Sequence, residues 1–313
     1  MMIEIDQDIQ DFYRGEIIDV HNHLFTPAML DLMKADMDEK RYQKFSDTFN
    51  VPEFNDGRAA KSDQDYLDNL SDSWVKTLDD NGVNKIVWFP FKGFHEAIYH
   101  ILSRHPNRIV GFIWFDMQDP QASLEILKDA VKHHGIRGVK INPSADHVHP
   151  HDKSMYPAYE FMEKHGLTVL SHYGISMAPT TDVAYINPFG IQVAARDYPG
   201  INFIIAHMGA GFVRESLFLM YHDINQNIHF DCSGSGSWIK YLPYDSSFEQ
   251  VYRRFLDAGG VERLLFGTDS NIRGYRTEIL KQNLQIFKNM ELSNKQVRKI
   301  MSGNARRVLH LQP

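Results

Sequence analysis

The chain has 313 residues, 43% of them hydrophobic, and 33 Lys and Arg against 40 Asp and Glu give a net charge of -7. That is enough apolar material for a large core, and the acidic balance without a basic stripe argues against a nucleic-acid partner. The single Cys232 excludes an internal disulfide, and residues 1–14 carry neither a basic start nor an apolar segment. With no apolar run long enough to span a bilayer, a cytoplasmic protein that does not enter a membrane is expected.

Residues 17–24, Ile-Ile-Asp-Val-His-Asn-His-Leu, read as a first strand. Asp19, His21 and His23 are spaced two apart, so on an ideal strand they share one face. Two imidazoles there are costly to bury unless a cation satisfies both nitrogens, whereas in a solvated loop they cost little. Residues 25–61 show mixed charge and no clear period, as expected of an inserted lid. Ser62 with Asp65 then marks a helix start, and Leu67, Leu70, Trp74 and Leu78 form its apolar face, ended by Gly82.

From there the pattern becomes periodic. Strands are expected over 85–91, 108–115, 136–141, 167–172, 201–207, 228–231 and 264–267. Helices are expected over 93–105, 120–134, 157–165, 188–198, 213–222, 248–258 and 277–290, with a last one from Ser293. Asp119 and Pro120 suit a helix start and Gly135 a helix stop. Eight apolar strands, each followed by a helix, predict an α/β fold of the (β/α)8 barrel type in one domain over 1–313, with a doubly wound open sheet as the alternative.

In such a barrel the chemistry sits at the C-terminal strand ends. Those ends carry His21 and His23, Lys140, His172, His207, Asp231 and Asp269. One strand-end histidine is more often structural than a ligand, but four with a carboxylate suit a divalent metal. Zinc is the first choice and manganese the second, three imidazoles and a carboxylate holding the ion with an activated water in the remaining position.

Together with Gly138-Val139-Lys140-Ile141, Ser171-His172-Tyr173-Gly174, Ala206-His207-Met208-Gly209, Phe230-Asp231-x-Ser233-Gly234 and Phe266-Gly267-Thr268-Asp269, the first strand resembles the amidohydrolase superfamily. The similarity is strongest to the branch that includes aminocarboxymuconate-semialdehyde decarboxylase and the resorcylate decarboxylases. It runs through nearly the whole chain, down to Gly303-Asn304-Ala305-Arg306-Arg307.

The resemblance implies one metal held by His21, His23, His172 and Asp269, with His207 as acid/base beside it; in hydrolysis Asp269 or His207 would take the proton. It also implies a homodimer. Asn142 departs from it, standing where many relatives carry histidine. Lys140 is expected to ion-pair inside the barrel or hold a substrate carboxylate, with a carbamylated lysine bridging two metals, as in other branches, as the alternative. Tyr173, Trp238, Arg273 and Arg276 follow strand ends and are candidates for the wall of a small-molecule pocket, where an arginine would suit a carboxylate. His147, His149 and His151 read as a solvated loop.

Three functions fit these residues. The first is metal-dependent hydrolysis of a C–N or C–O bond in a small molecule. The second is non-oxidative decarboxylation of an aromatic or enol carboxylic acid, and the third is metal binding without catalysis.

Overall fold

Among the described residues the apolar runs form eight short strands: β1 Ile18–Leu24, β2 Lys85–Pro90, β3 Ile109–Trp114, β4 Gly138–Ile141, β5 Thr168–Ser171, β6 Asn202–Ile205, β7 Ile228–Asp231 and β8 Leu264–Leu265. The computed structural model describes residues 12–35, 37–49, 63–176, 180–221, 226–234, 236–243 and 245–312. Each strand pairs in parallel with the next, in the order β1 to β8. The circle closes where Val20 N donates to Phe266 O at 3.0 Å, Asp269 N to His21 O at 3.0 Å and His23 N to Ser270 O at 2.7 Å.

Parallel neighbours need crossovers, and helices supply them. α1 Pro27–Ala35, α2 Glu39–Phe49 and α3 Asp63–Asp80 follow β1, and α4 His95–Arg104 follows β2. α5 Pro120–His134 follows β3, α6 Pro143–Asp146 and α7 Tyr156–Lys164 follow β4, and α8 Gly190–Asp197 follows β5. α9 Val213–Tyr221, α10 Phe248–Gly259 and α11 Thr277–Asn289 complete the ring, and α12 Asn294–Arg298 and α13 Asn304–Val308 end the chain. This is the (β/α)8 barrel expected.

The helix boundaries follow local chemistry. Asp119 accepts from Ala122 N at 3.1 Å at the start of α5, and Gly135, with φ of 69°, ends it. Ser247 with Gln250 and Ser293 with Gln296 form reciprocal capping boxes. None of the described helices is long and apolar enough to cross a membrane.

Alternate strand residues build two apolar clusters. Ile18, Val20, Val87, Phe89, Val110, Phe112, Leu170, Ile204 and Leu265 fill one, closed by Ala305 and Val308 of the C-terminal helix and Leu309 just after it. The other strand faces pack with the helices in the larger cluster. On β4 and β7 the positions in line with Leu170 and Ile204 are Lys140 and His229, so the inner row is interrupted by polar side chains.

Two expectations are corrected. The segment after β1 is not irregular: α1 and α2 occupy much of it, and Leu30, Met33 and Phe45 cluster with Phe25, Phe91 and Ile272, at the ends of β1, β2 and β8. Its apolar stripes are too short to stand out from the surrounding charge. Residue 36 and residues 50–62, including the expected cap Ser62, lie outside the described residues. Nor do Asp19, His21 and His23 share one face. Pairing with β2 slips between Asp19, opposite Ile86, and Asn22, opposite Trp88, which breaks the alternation of an ideal strand.

Candidate metal centre

The slip in β1 separates a structural carboxylate from two site imidazoles. Asp19 Oδ1 accepts from His21 N at 3.0 Å and Thr268 N at 3.1 Å, and Oδ2 accepts from Thr268 Oγ1 at 2.6 Å. It thus clamps β1 to the segment after β8. Val20 stays with the inner cluster that contains Phe89, and the rings of His21 and His23 reach that same phenylalanine, with centroids at 5.5 and 4.6 Å.

Asp231, at the end of β7, organises what lies between the strands. Its Oδ2 accepts from His21 Nδ1 at 2.9 Å, and its Oδ1 accepts from His207 N at 2.9 Å, Ser233 N at 3.0 Å and the Ser233 hydroxyl. Burial pushes its carboxyl upward, but His21 and the remaining donors outweigh this and hold it below the usual carboxylate range. A neutral His21 that donates from Nδ1 keeps its Nε2 lone pair for the site.

His207 sits on a strained turn. From His207 to Gly211 every residue has positive φ (55°, 51°, 85°, 41° and 105°), three of them non-glycine. Each such residue costs on the order of 1–3 kcal/mol, so the turn persists because its surroundings hold it. Those surroundings include Ile175 N donating to Ala210 O at 3.2 Å and Gly174, where a Cβ would lie 2.3 Å from Ala210 O. The β5 and β6 loops therefore interlock. The result is a His207 ring stacked on His21 at 4.8 Å and edge-on to His172 at 5.2 Å.

Asp269, with φ of 59°, closes the site from the β8 end. Its Oδ1 lies 3.2 Å from His23 Nε2 and 3.7 Å from His21 Nε2, and those two ring nitrogens face each other at 3.3 Å. Arg276 Nη1 stands 3.7 Å from Asp269 Oδ2. Burial keeps His21 neutral, with its pKa drawn down to about 3, helped by the charge of Lys140 and opposed by Asp231. Burial likewise lowers His23 and His172. Neutral imidazoles are the metal-binding form.

The donor chemistry fits a divalent cation. The His21 lone pair faces a second ring nitrogen and a carboxylate oxygen, a set that repels unless a proton or cation lies among them. Ligand atoms of His21, His207 and Asp269 all fall within 4.8 Å of one another. Nitrogen and oxygen donors of this kind suit zinc or manganese.

Other expected residues lie differently. His172 is beside His207, but its Nε2 donates to Ile175 O at 3.2 Å and is not among the three converging groups. Lys140 is 1% exposed, its Nζ lies 5.2 Å over the Phe89 ring, and no described residue hydrogen-bonds it. Tyr173 and Trp238 pack in the larger apolar cluster, Trp238 edge-on to Phe248 at 5.8 Å. Arg273 is exposed, and Arg276 Nη1 reaches Asp269. Asn142 is buried and accepts from Ser144 Oγ at 2.9 Å.

His147, His149 and His151 are exposed, and His149 and His151 stack at 5.1 Å. The roles of Asp231 and Ser233 were not read from the sequence. The signals available were their alternation at an apolar strand end and the Phe230-Asp231-x-Ser233-Gly234 motif.

Solved structures share this architecture. A 5-carboxyvanillate decarboxylase from Sphingomonas paucimobilis is 13% identical, with a TM-score of 0.68 over 95% of this chain and 99% of its own. A dihydroxybenzoic acid decarboxylase from a Polaromonas species, solved with manganese and 2-nitroresorcinol, is 18% identical, with a TM-score of 0.63 over 95% and 97%. A 4-oxalomesaconate hydratase from Rhodopseudomonas palustris is 20% identical, with a TM-score of 0.62 over 94% and 96%. No curated protein sequence matches the chain. The family model described as amidohydrolase matches residues 18–311, and with the strand-end donor cluster this establishes that the chain belongs to the amidohydrolase family of metal-dependent enzymes.

Proposed function

We propose that the protein is a metal-dependent, non-oxidative decarboxylase of an aromatic or enol carboxylic acid. The observation that carries this reading is Lys140, a buried ammonium beside the donor cluster with no hydrogen-bond partner among the described residues. A buried ammonium without a hydrogen-bond partner is costly, and a substrate carboxylate would satisfy it. The aromatic-acid decarboxylases of similar fold support the same choice.

His21, His23 and Asp269 would hold one zinc or manganese ion, joined by His172 once its ring leaves the Ile175 carbonyl. When bound, the ion supplies Lewis-acid polarisation of a substrate oxygen. Lys140 orients the carboxylate, and the apolar wall of Phe89 excludes water from the acid's ring. His207 Nε2 takes up a proton and gives it to the carbon that bears the carboxylate. The C–C bond then breaks, its electron pair restores the ring, and carbon dioxide leaves, one proton being consumed per turnover. The enzyme would act as a cytoplasmic homodimer, an assembly that light scattering in solution tests.

The reaction is tested by measuring carbon dioxide release from a panel of hydroxybenzoates with protein loaded with zinc or manganese. Release from at least one acid is expected. Hydrolysis of amides or lactones with no carbon dioxide from any acid would replace this reading with hydrolysis.

A further inference from the structure

We infer that Ser233 is a positioning residue that sets the tautomer of His207, so that the neutral ring carries its proton on Nδ1 and turns a bare Nε2 to the donor cluster. His207 Nδ1 lies 2.8 Å from Ser233 Oγ and 3.3 Å from the Ser233 carbonyl oxygen. A carbonyl only accepts. The hydroxyl has a single proton, and that proton goes to Asp231 Oδ1, to which it is hydrogen-bonded. What remains on Ser233 Oγ is two lone pairs, one for His207 Nδ1 and a weaker one for His21 Nδ1 at 3.2 Å.

Both oxygens around His207 Nδ1 are thus acceptors, and only an Nδ1–H ring satisfies them. His21 is set in the same way by Asp231 Oδ2 at 2.9 Å. One carboxylate and one hydroxyl therefore hold two stacked rings in the same tautomer. Gly234 supports this arrangement, since a Cβ there would lie 3.2 Å from His207 Nδ1 and press on the contact. The tautomer stands on geometry alone. Its consequence, that His207 begins each turnover as a proton acceptor, rests on the decarboxylase reading.

The test is a long-range proton–nitrogen correlation spectrum of full-length, metal-free protein with nitrogen-15-labelled histidine at mildly alkaline pH. His207 is assigned by the signal lost in His207→Gln. The expected wild-type pattern is a protonated Nδ1 and an unprotonated Nε2. Ser233→Ala leaves only the longer carbonyl contact, and the His207 signals should then average between tautomers.

An Nε2–H ring in the wild type, or a pattern unchanged in Ser233→Ala, overturns the inference. If Ser233→Ala does not fold, the wild-type spectrum decides between the tautomers by itself. An active decarboxylase with an Nε2–H ring would refute only this inference, and an Nδ1–H ring without carbon dioxide release would refute only the reaction.

Discussion

Replacing Lys140 with methionine should make the protein more stable and less able to bind its substrate. The side chain is 1% exposed, and burial draws its pKa from 10.5 down to about 8, against the pull of Asp231 and Asp269. At ~1.4 kcal/mol per tenfold change, holding the ammonium in the folded chain costs about 3 kcal/mol at neutral pH. Methionine keeps the unbranched shape and carries no charge, so it removes this cost.

For a chain of this length that corresponds to a rise in Tm of roughly 5 °C, read by calorimetry on metal-free protein at neutral pH. The gain should shrink in alkali. As pH rises from about 8 toward 10.5 the folded wild type gives up its proton before the unfolded chain does, so the wild type gains stability and the difference closes. In the same variant a carboxylate inhibitor should bind on the order of 10- to 100-fold more weakly, the worth of a charge-assisted hydrogen bond. A Lys140→Met protein less stable than wild type would refute the reasoning, because it would mean that the fold itself satisfies the ammonium.

Three further outcomes are expected. His21→Ala should lose metal and activity together, while His207→Ala should keep metal and lose turnover; metal analysis and a carbon dioxide assay on both variants read this, and metal loss in His207→Ala would reverse the roles. Asp231→Asn puts an amide where His21 Nδ1 and two backbone N–H groups now find a carboxylate, and metal affinity should fall about 10- to 100-fold in chelator competition. Unchanged affinity would remove Asp231 from the positioning of His21. Gly267→Ala places a Cβ 2.9 Å from Ser233 Cβ and 3.2 Å from His21 Cβ, so denaturant unfolding should show a loss of about 1–3 kcal/mol, and a variant as stable as wild type would mean this contact relaxes freely.

The sequence by itself determined the barrel. Eight short apolar runs, the Asp119-Pro120 start, the Gly135 stop and the Ser247 and Ser293 caps act within a few residues of themselves, and their periods are visible along the chain. Strand ends in a parallel barrel also share one face, so the histidines and Asp269 could be gathered from sequence order alone.

What only the tertiary structure decided are the partners. Asp231 meets His21 across 210 positions and Thr268 meets Asp19 across 249, and nothing local encodes either pairing. The slip in β1 arises from its register with β2, which set Asp19 apart from the histidines that alternate with it. Tyr173 and Trp238 follow strand ends just as His172 and His207 do, yet both pack in the larger apolar cluster. A side chain's direction beyond a strand end is set by the loop's turn and its neighbours, and those contacts exist only once the barrel has closed.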